Sequence, residues 1–166
     1  MGAMMNQHIM QAVDWSKYDL PEWLRQFGCW LGVYQGSGKK IITLTMEKAR
    51  LKLKGDERAE VIAQYICDNK FRDRPKRNKN AVCLISDDEA RAVQKLVLDV
   101  INGTDSEIML DWMQAIIDRY FSGFSWPNMV TPDRSLMDAR SDVKCGLAVL
   151  HGRYTFIKYQ KDEKTA

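Results

Sequence analysis

The side chains best able to do chemistry are few in this chain. His8 and His151 are its two imidazoles, and Cys29, Cys67, Cys83 and Cys145 its four thiols. A structural zinc site takes four ligands, usually as two short-spaced pairs, and no two of these cysteines form a CxxC pair. In a reducing compartment they read as core or partly buried side chains. His151 falls in or just past the last turn of a helix, with Cys145 shortly before it, so neither a Ser–His–acid nor a Cys–His set can be assembled. Asp111 and Asp118 share a helical face two turns apart, as a two-metal nuclease would want. The other acids sit in helix first turns, where a carboxylate favours the dipole. GSGK at 36–39 lacks the first glycine and the hydroxyl of a phosphate-binding loop, with Val33 and Lys40 in those places, and a helix precedes it where a strand is needed. The expectation is a protein that is not an enzyme and uses no cofactor or metal.

The basic side chains carry more information. The chain has 166 residues, 25 Lys plus Arg, 22 Asp plus Glu and a net charge of +3. That charge is segregated. Residues 70–79 (KFRDRPKRNK) hold six bases, Lys70, Arg72, Arg74, Lys76, Arg77 and Lys79, against one acid. Residues 86–118 hold eight acids and two bases, and residues 134–161 six bases and two acids. Such blocks suit surfaces with different partners, although a charge run is also what a solvated face looks like. The length suggests one domain or two small ones, and the division expected here is a single domain. It comprises a leftover of expression at 1–5, a helical region at 6–69, a basic loop at 70–80, a second helical region at 81–161 and a tail at 162–166. No apolar run approaches a membrane span. The first residues fit neither a signal peptide nor a myristoylation site, so the expected location is the cytoplasm and no membrane is involved.

The elements that must position these charges are helical. Residues 20–31 place Leu20, Trp23, Leu24, Phe27, Trp30 and Leu31 on one stripe, behind Asp19 as N-cap and Pro21 in the first turn. Residues 41–53 read equally as strand or helix. Residues 56–67 suit a helix. Ser86 with Glu89 three residues on forms a capping box for a helix that turns Ala90, Val93, Leu96, Val97, Val100 and Ile101 inward and stops at Asn102-Gly103. Another helix spans 106–121. A break at Gly123 leads to a short helix at 126–130 with Ser125 as its cap, then a turn at 131–134. A last long helix, capped by Ser135 with Asp138, carries Leu136, Ala139, Val143, Leu147 and Leu150 on one stripe. The fold class is mainly α, a helical bundle, with room for a short strand or hairpin at 39–54 or at the C-terminus.

The unit at 106–151 has the order of a helix-turn-helix, in which the early residues of the last helix face the major groove and flanking bases neutralise phosphates. Arg134, Ser135, Asp138, Arg140, Ser141 and Lys144 are the exposed positions that this arrangement predicts, with Arg153, Lys158 and Lys161 prolonging the positive surface. The same pattern also fits a helical hairpin that touches no nucleic acid.

The segments EWLRQFGCWLG, DDEARAVQKLVLDV, IIDRYFSGFSWPNMV and DARSDVKCGLAVLHGRY together resemble the antitermination protein Q group of lambdoid-type phages and prophages, over about two-thirds of the chain. The shared features are an aromatic-rich first helix and a late helix-turn-helix similar to that of sigma-factor promoter-binding domains, in which Tyr120, Gly123, Ser125, Trp126 and Val130 fill the pattern. Residues 39–80 match nothing in that pattern, Pro132 stands where it is more helical, and the zinc motif of some members is missing. The resemblance implies a protein that binds double-stranded DNA at a late promoter and loads onto a paused RNA polymerase with its sigma factor. It would then obstruct the RNA exit path so that terminators fail. The loop at 70–80 would contact DNA, polymerase or nascent RNA. Two other readings stand beside it: a regulator acting only at DNA, and an adaptor that binds a host protein through Trp23, Phe27 and Trp30.

Overall fold

A computed structural model of the chain describes residues 13–33, 56–67 and 83–160. The basic segment with Lys70, Arg72, Arg74, Lys76, Arg77 and Lys79 lies outside the described residues, as do the ambiguous stretch at 41–53 and the tail. What is described is mainly α-helical, with five α-helices: α1 Leu20–Val33, α2 Asp56–Cys67, α3 Asp87–Asn102, α4 Glu107–Ile116 and α5 Leu136–Arg153. A 3₁₀ turn at Trp15–Lys17 precedes α1, and a second at Pro127–Met129 lies between α4 and α5.

Local chemistry sets most of the boundaries. The Glu22 amide donates to Asp19 Oδ1 at 2.9 Å, so Asp19 caps α1. Both halves of a capping box are present at α3, between Ser86 and Glu89, and at α5, between Ser135 and Asp138. Gly103 closes α3, its amide donating to the Asp99 carbonyl. The helix expected at 126–130 is a single 3₁₀ turn whose N-cap is Trp126 and not the expected Ser125; no side chain caps it, and the Ser125 carbonyl accepts from the Asn128 amide at 3.0 Å.

α4 continues into a π-helical turn, Ile117–Phe121. The Ser122 amide reaches back to the Ile117 carbonyl at 2.9 Å, and Phe124 to Asp118 at 2.9 Å. This widened turn rotates the side chains after Ile116 relative to a regular helix. The chain then reverses at Gly123, whose φ of 71° is the left-handed conformation that favours glycine.

The core is built around α1. Leu20, Trp23, Leu24 and Phe27 are fully enclosed. Trp23 meets Trp15 and Tyr18 edge to face, both with ring centroids 5.0 Å away, and Phe27 meets Phe121 at 4.7 Å. α1 also lies on α3, the π-helical turn packs on α1, α2 packs on α3, and α4 runs along α5. α4 and α5 approach closely because Gly146 has no side chain: a Cβ there would sit 2.6 Å from Ile116 Cγ1 and 2.9 Å from the Trp112 carbonyl oxygen. The expected inward set of α3 is buried in full, and that of α5 enters the core at Ala139, leaving Leu136 exposed.

Among the described residues two arginines are buried. Arg58 of α2 reaches α4, donating to Glu107 Oε2 at 2.7 Å, Asp111 Oδ1 at 2.5 Å and Gln114 Oε1 at 3.0 Å. Arg134 lies under the start of α5. The expected C-terminal strand is absent among the described residues. Residues 154–160 instead turn back over the body, with Ile157 buried, its carbonyl 3.1 Å from His151 Nδ1, and the Leu20 amide donating to the Lys158 carbonyl at 2.8 Å. No helix of the described residues is long and apolar enough to cross a membrane.

Candidate nucleic-acid interface

The candidate interface is the first half of α5 and the loop before it. Thr131 and Arg134 exchange both backbone hydrogen bonds, at 3.0 and 3.1 Å, across Pro132-Asp133. That tight reversal aims α5 away from the 3₁₀ turn, and Pro132 suits it because proline pre-sets the backbone angle a turn needs. Ser135 then starts the helix. Its Oγ accepts from the Asp138 amide at 3.1 Å, while Asp138 Oδ2 accepts from the Ser135 amide at 3.0 Å and hydroxyl at 2.7 Å. These bonds from the Ser135 side chain and backbone hold the Asp138 carboxyl below its ordinary range. Ser135 and Asp138 are exposed, with Ser135 Oγ and Asp138 Oδ2 engaged in the cap.

Arg140, Ser141 and Lys144 are exposed and point from one side of α5, opposite buried Ala139, Val143, Gly146 and Leu147. Met137 joins that side at 80% exposure. Neither Arg140 nor Lys144 makes an ion pair among the described residues. Arg153 is also exposed, but thirteen residues of helix put it about 20 Å along the axis from Arg140, beside Gly103 at the far end. It does not share a surface with the other candidates.

Arg134 is not an exposed phosphate contact. Its side chain is 2% exposed, with Nη1 3.5 Å from Asp118 Oδ2 and Nε 3.6 Å from Asp142 Oδ2. The reason is positional: it immediately precedes the cap, where the turn directs it inward between the π-helical turn and α5. The two acids confer a buried ionic anchor and remove it from the interface. The two aspartates that share a face of the helix at 106–121 are also paired with arginines. Asp111 pairs with Arg58 and Asp118 with Arg134, and among the described residues no group of three or more His, Cys, Asp or Glu side chains is placed to hold a metal ion.

The aromatic interface candidates are corrected likewise. Trp23 and Phe27 are 0% exposed, and the stripe of α1 faces the core. Trp30 is half-buried, and its indole Nε1 donates to Asp87 Oδ1 at 2.8 Å while the Arg91 guanidinium lies over its ring at 5.2 Å. It ties α1 to the start of α3.

One feature of the interface was not legible in the sequence. The guanidinium carbons of Arg119 and Arg140 lie over the Trp126 ring, 4.2 and 5.7 Å from its centroid. Arg119 also donates to the Phe124 carbonyl at 2.9 Å. Burial pushes the Arg119 guanidinium below its ordinary value, and Arg25 nearby adds to that. Arg25 itself sits over the Tyr120 ring at 5.5 Å. Arg119 of the π-helical turn is thereby held beside Arg140 of α5 on the shared Trp126 ring, whereas Arg25 is paired with Glu22 on α1 at 3.2 Å. The Arg119 and Trp126 contact depends on that turn, which no local pattern announces. Comparison with protein-family models, with curated proteins and with solved structures finds no match to this chain.

Proposed function

We propose that this protein binds double-stranded DNA through the first half of α5 and acts as a transcription antiterminator. The observation that carries the DNA-binding part is the exposed side of α5 holding Arg140, Ser141 and Lys144 beside the Arg119–Trp126 pair. In a helix-turn-helix docking mode, the 3₁₀ turn at Pro127–Met129 crosses the backbone and α5 enters the major groove by its N-terminal end. The Trp126 ring carries Arg140 on its face, which leaves the edge of the guanidinium free to chelate the O6 and N7 of a guanine. Lys144 meets phosphate, and Arg119 adds charge at the backbone. Recognition of DNA in this mode involves no catalysis and no cofactor.

The antiterminator step rests on the resemblance to the phage Q group. In that reading the DNA-bound protein loads onto a paused RNA polymerase in the bacterial cytoplasm and suppresses termination. The basic residues at 70–80 supply a second contact to DNA, polymerase or nascent RNA. The adaptor reading through α1 is not proposed, because the aromatic side of α1 is core.

Two measurements test the proposal. Arg140→Ala should lower specific affinity by about tenfold and relax discrimination at one base pair. Lys144→Ala should weaken all duplexes alike and reduce the salt slope by about one. Unchanged affinity in both variants would remove α5 as the recognition helix. In purified transcription, the protein should carry polymerase through an intrinsic terminator on a template with its own late promoter. Specific DNA binding without readthrough would make it a regulator that acts only at DNA.

A further inference from the structure

Met137 is the most exposed large apolar side chain among the described residues, at 80%, and Leu136 beside it in the sequence is exposed as well. It occupies the second position of α5, three residues before Arg140, and so lies on the same side of the helix as Arg140 and Lys144. An apolar side chain held in water at the start of a helix, on the side that carries Arg140 and Lys144, neither of which makes an ion pair among the described residues, is at odds with a solvated face. It suits a partner that is negatively charged and also offers isolated apolar groups.

From this, we infer that Met137 is a specificity-determining residue that reads the C5 methyl of a thymine next to the guanine read by Arg140. The inference rests on the reading of α5 as a DNA-recognition helix. Residues three apart on a helix have Cβ atoms about 5–6 Å apart, and stacked bases are spaced by about 3.4 Å. Met137 and Arg140 therefore reach bases one or two steps apart. In the major groove the thymine methyl is the apolar group displayed at a base edge, and methionine, unbranched and polarizable, adapts to it without demanding a fixed geometry. Ser135 and Asp138 flank Met137 and are bonded to each other through Ser135 Oγ and Asp138 Oδ2. A protein partner on this apolar patch would have to accommodate Arg140 and Lys144 on the same side, which phosphate-flanked base edges do without further adjustment.

The test begins with the full chain and a pool of randomised duplexes at fixed salt. The selected site should contain a guanine whose preference is lost in Arg140→Ala, with a thymine one or two steps away. Replacing that thymine by deoxyuridine removes only the methyl and should weaken the wild-type protein by about fourfold. Met137→Ala should lose a similar factor on the thymine duplex and be indifferent to the deoxyuridine replacement. The substitution is at an exposed position, and an unchanged helical spectrum and melting temperature will show that folding is intact. Equal sensitivity of both proteins to the replacement would overturn the assignment. So would a Met137→Ala variant that binds every duplex like the wild type but loses polymerase binding, since the patch would then be a protein contact. If the wild type selects no duplex at all, the DNA-binding reading itself falls and this inference with it, whereas selection with no thymine effect sinks the inference alone.

Discussion

Arg134 shows how one side chain can be drawn to opposite ends by the same charge. By composition it belongs to a basic segment and to the start of the helix proposed to read DNA, yet its guanidinium is enclosed between Asp118 and Asp142. Removing a partner from a buried ion pair leaves the others uncompensated, which costs about 3–5 kcal/mol. Here the acids keep 15% and 25% exposure and Arg134 Nε and Nη2 make no hydrogen bond, so Arg134→Ala should lower the unfolding free energy by about 1–3 kcal/mol in urea titrations, against less than about 0.5 kcal/mol for Arg140→Ala as an exposed substitution. A stability-neutral Arg134→Ala would mean the pair contributes nothing. The sequence could not show this, because the two acids lie 16 residues before and 8 residues after Arg134 and meet it only once α4 and α5 are packed. Ser86–Glu89 and Ser135–Asp138 were legible because a capping box is contained within four residues.

At the scale of elements, the α4–α5 crossing depends on Gly146. Alanine there would gain about 1 kcal/mol of intrinsic helix propensity. It would also bring Cβ within 2.9 Å of the Trp112 carbonyl, a backbone atom that can move only with α4 itself. Overpacking of this kind costs about 1–3 kcal/mol, so Gly146→Ala should be net destabilising, read as a lower melting temperature by circular dichroism. A melting temperature equal to or above that of the wild type would show that α4 can yield. The helices themselves were legible from apolar periodicity, and α3 and α5 begin at the expected residues. What periodicity does not distinguish is a stripe facing the core from one facing a partner, which is why Trp23 and Phe27 read as a docking surface until packing placed them inside. Nor does it register the extra residue in the Ile117–Phe121 turn, on which the Arg119–Trp126 contact depends.

At the scale of the whole molecule, residues from distant parts of the chain are held to one body by polar ties. Tyr154, the residue after α5, is 3.4 Å from the Leu96 carbonyl and 3.5 Å from Asp99 on α3. Burial, and then the Asp99 charge, push its phenol up to about 12. An unfolded tyrosine ionises near 10. A folded pKa above the unfolded one stabilises fully below pH ~10 and loses that contribution as pH rises toward ~12. The protein should therefore become easier to unfold across that window, and Tyr154→Phe should flatten this part of the pH profile in denaturant titrations. An identical profile in the variant would assign the alkaline loss to other groups. The charge blocks are a property of the whole chain too. The acidic run at 86–118 supplies Glu107, Asp111 and Asp118 to buried arginines, so part of what resembled a separate acidic surface is internal neutralisation.

The contact between the Leu20 amide and the Lys158 carbonyl has a practical side. It brings the start of α1 and the segment after α5 to one spot, near the end of α5 that carries His151. Met137 lies fourteen residues earlier on that helix, about 21 Å away along its axis. A chain anchored by either of these neighbouring segments, on a sensor surface or to a fused carrier, would hold its tip outward like a probe on a short stalk. In such a layer the exposed side of α5 with Arg140 and Lys144 would lie at the end of the helix remote from the support.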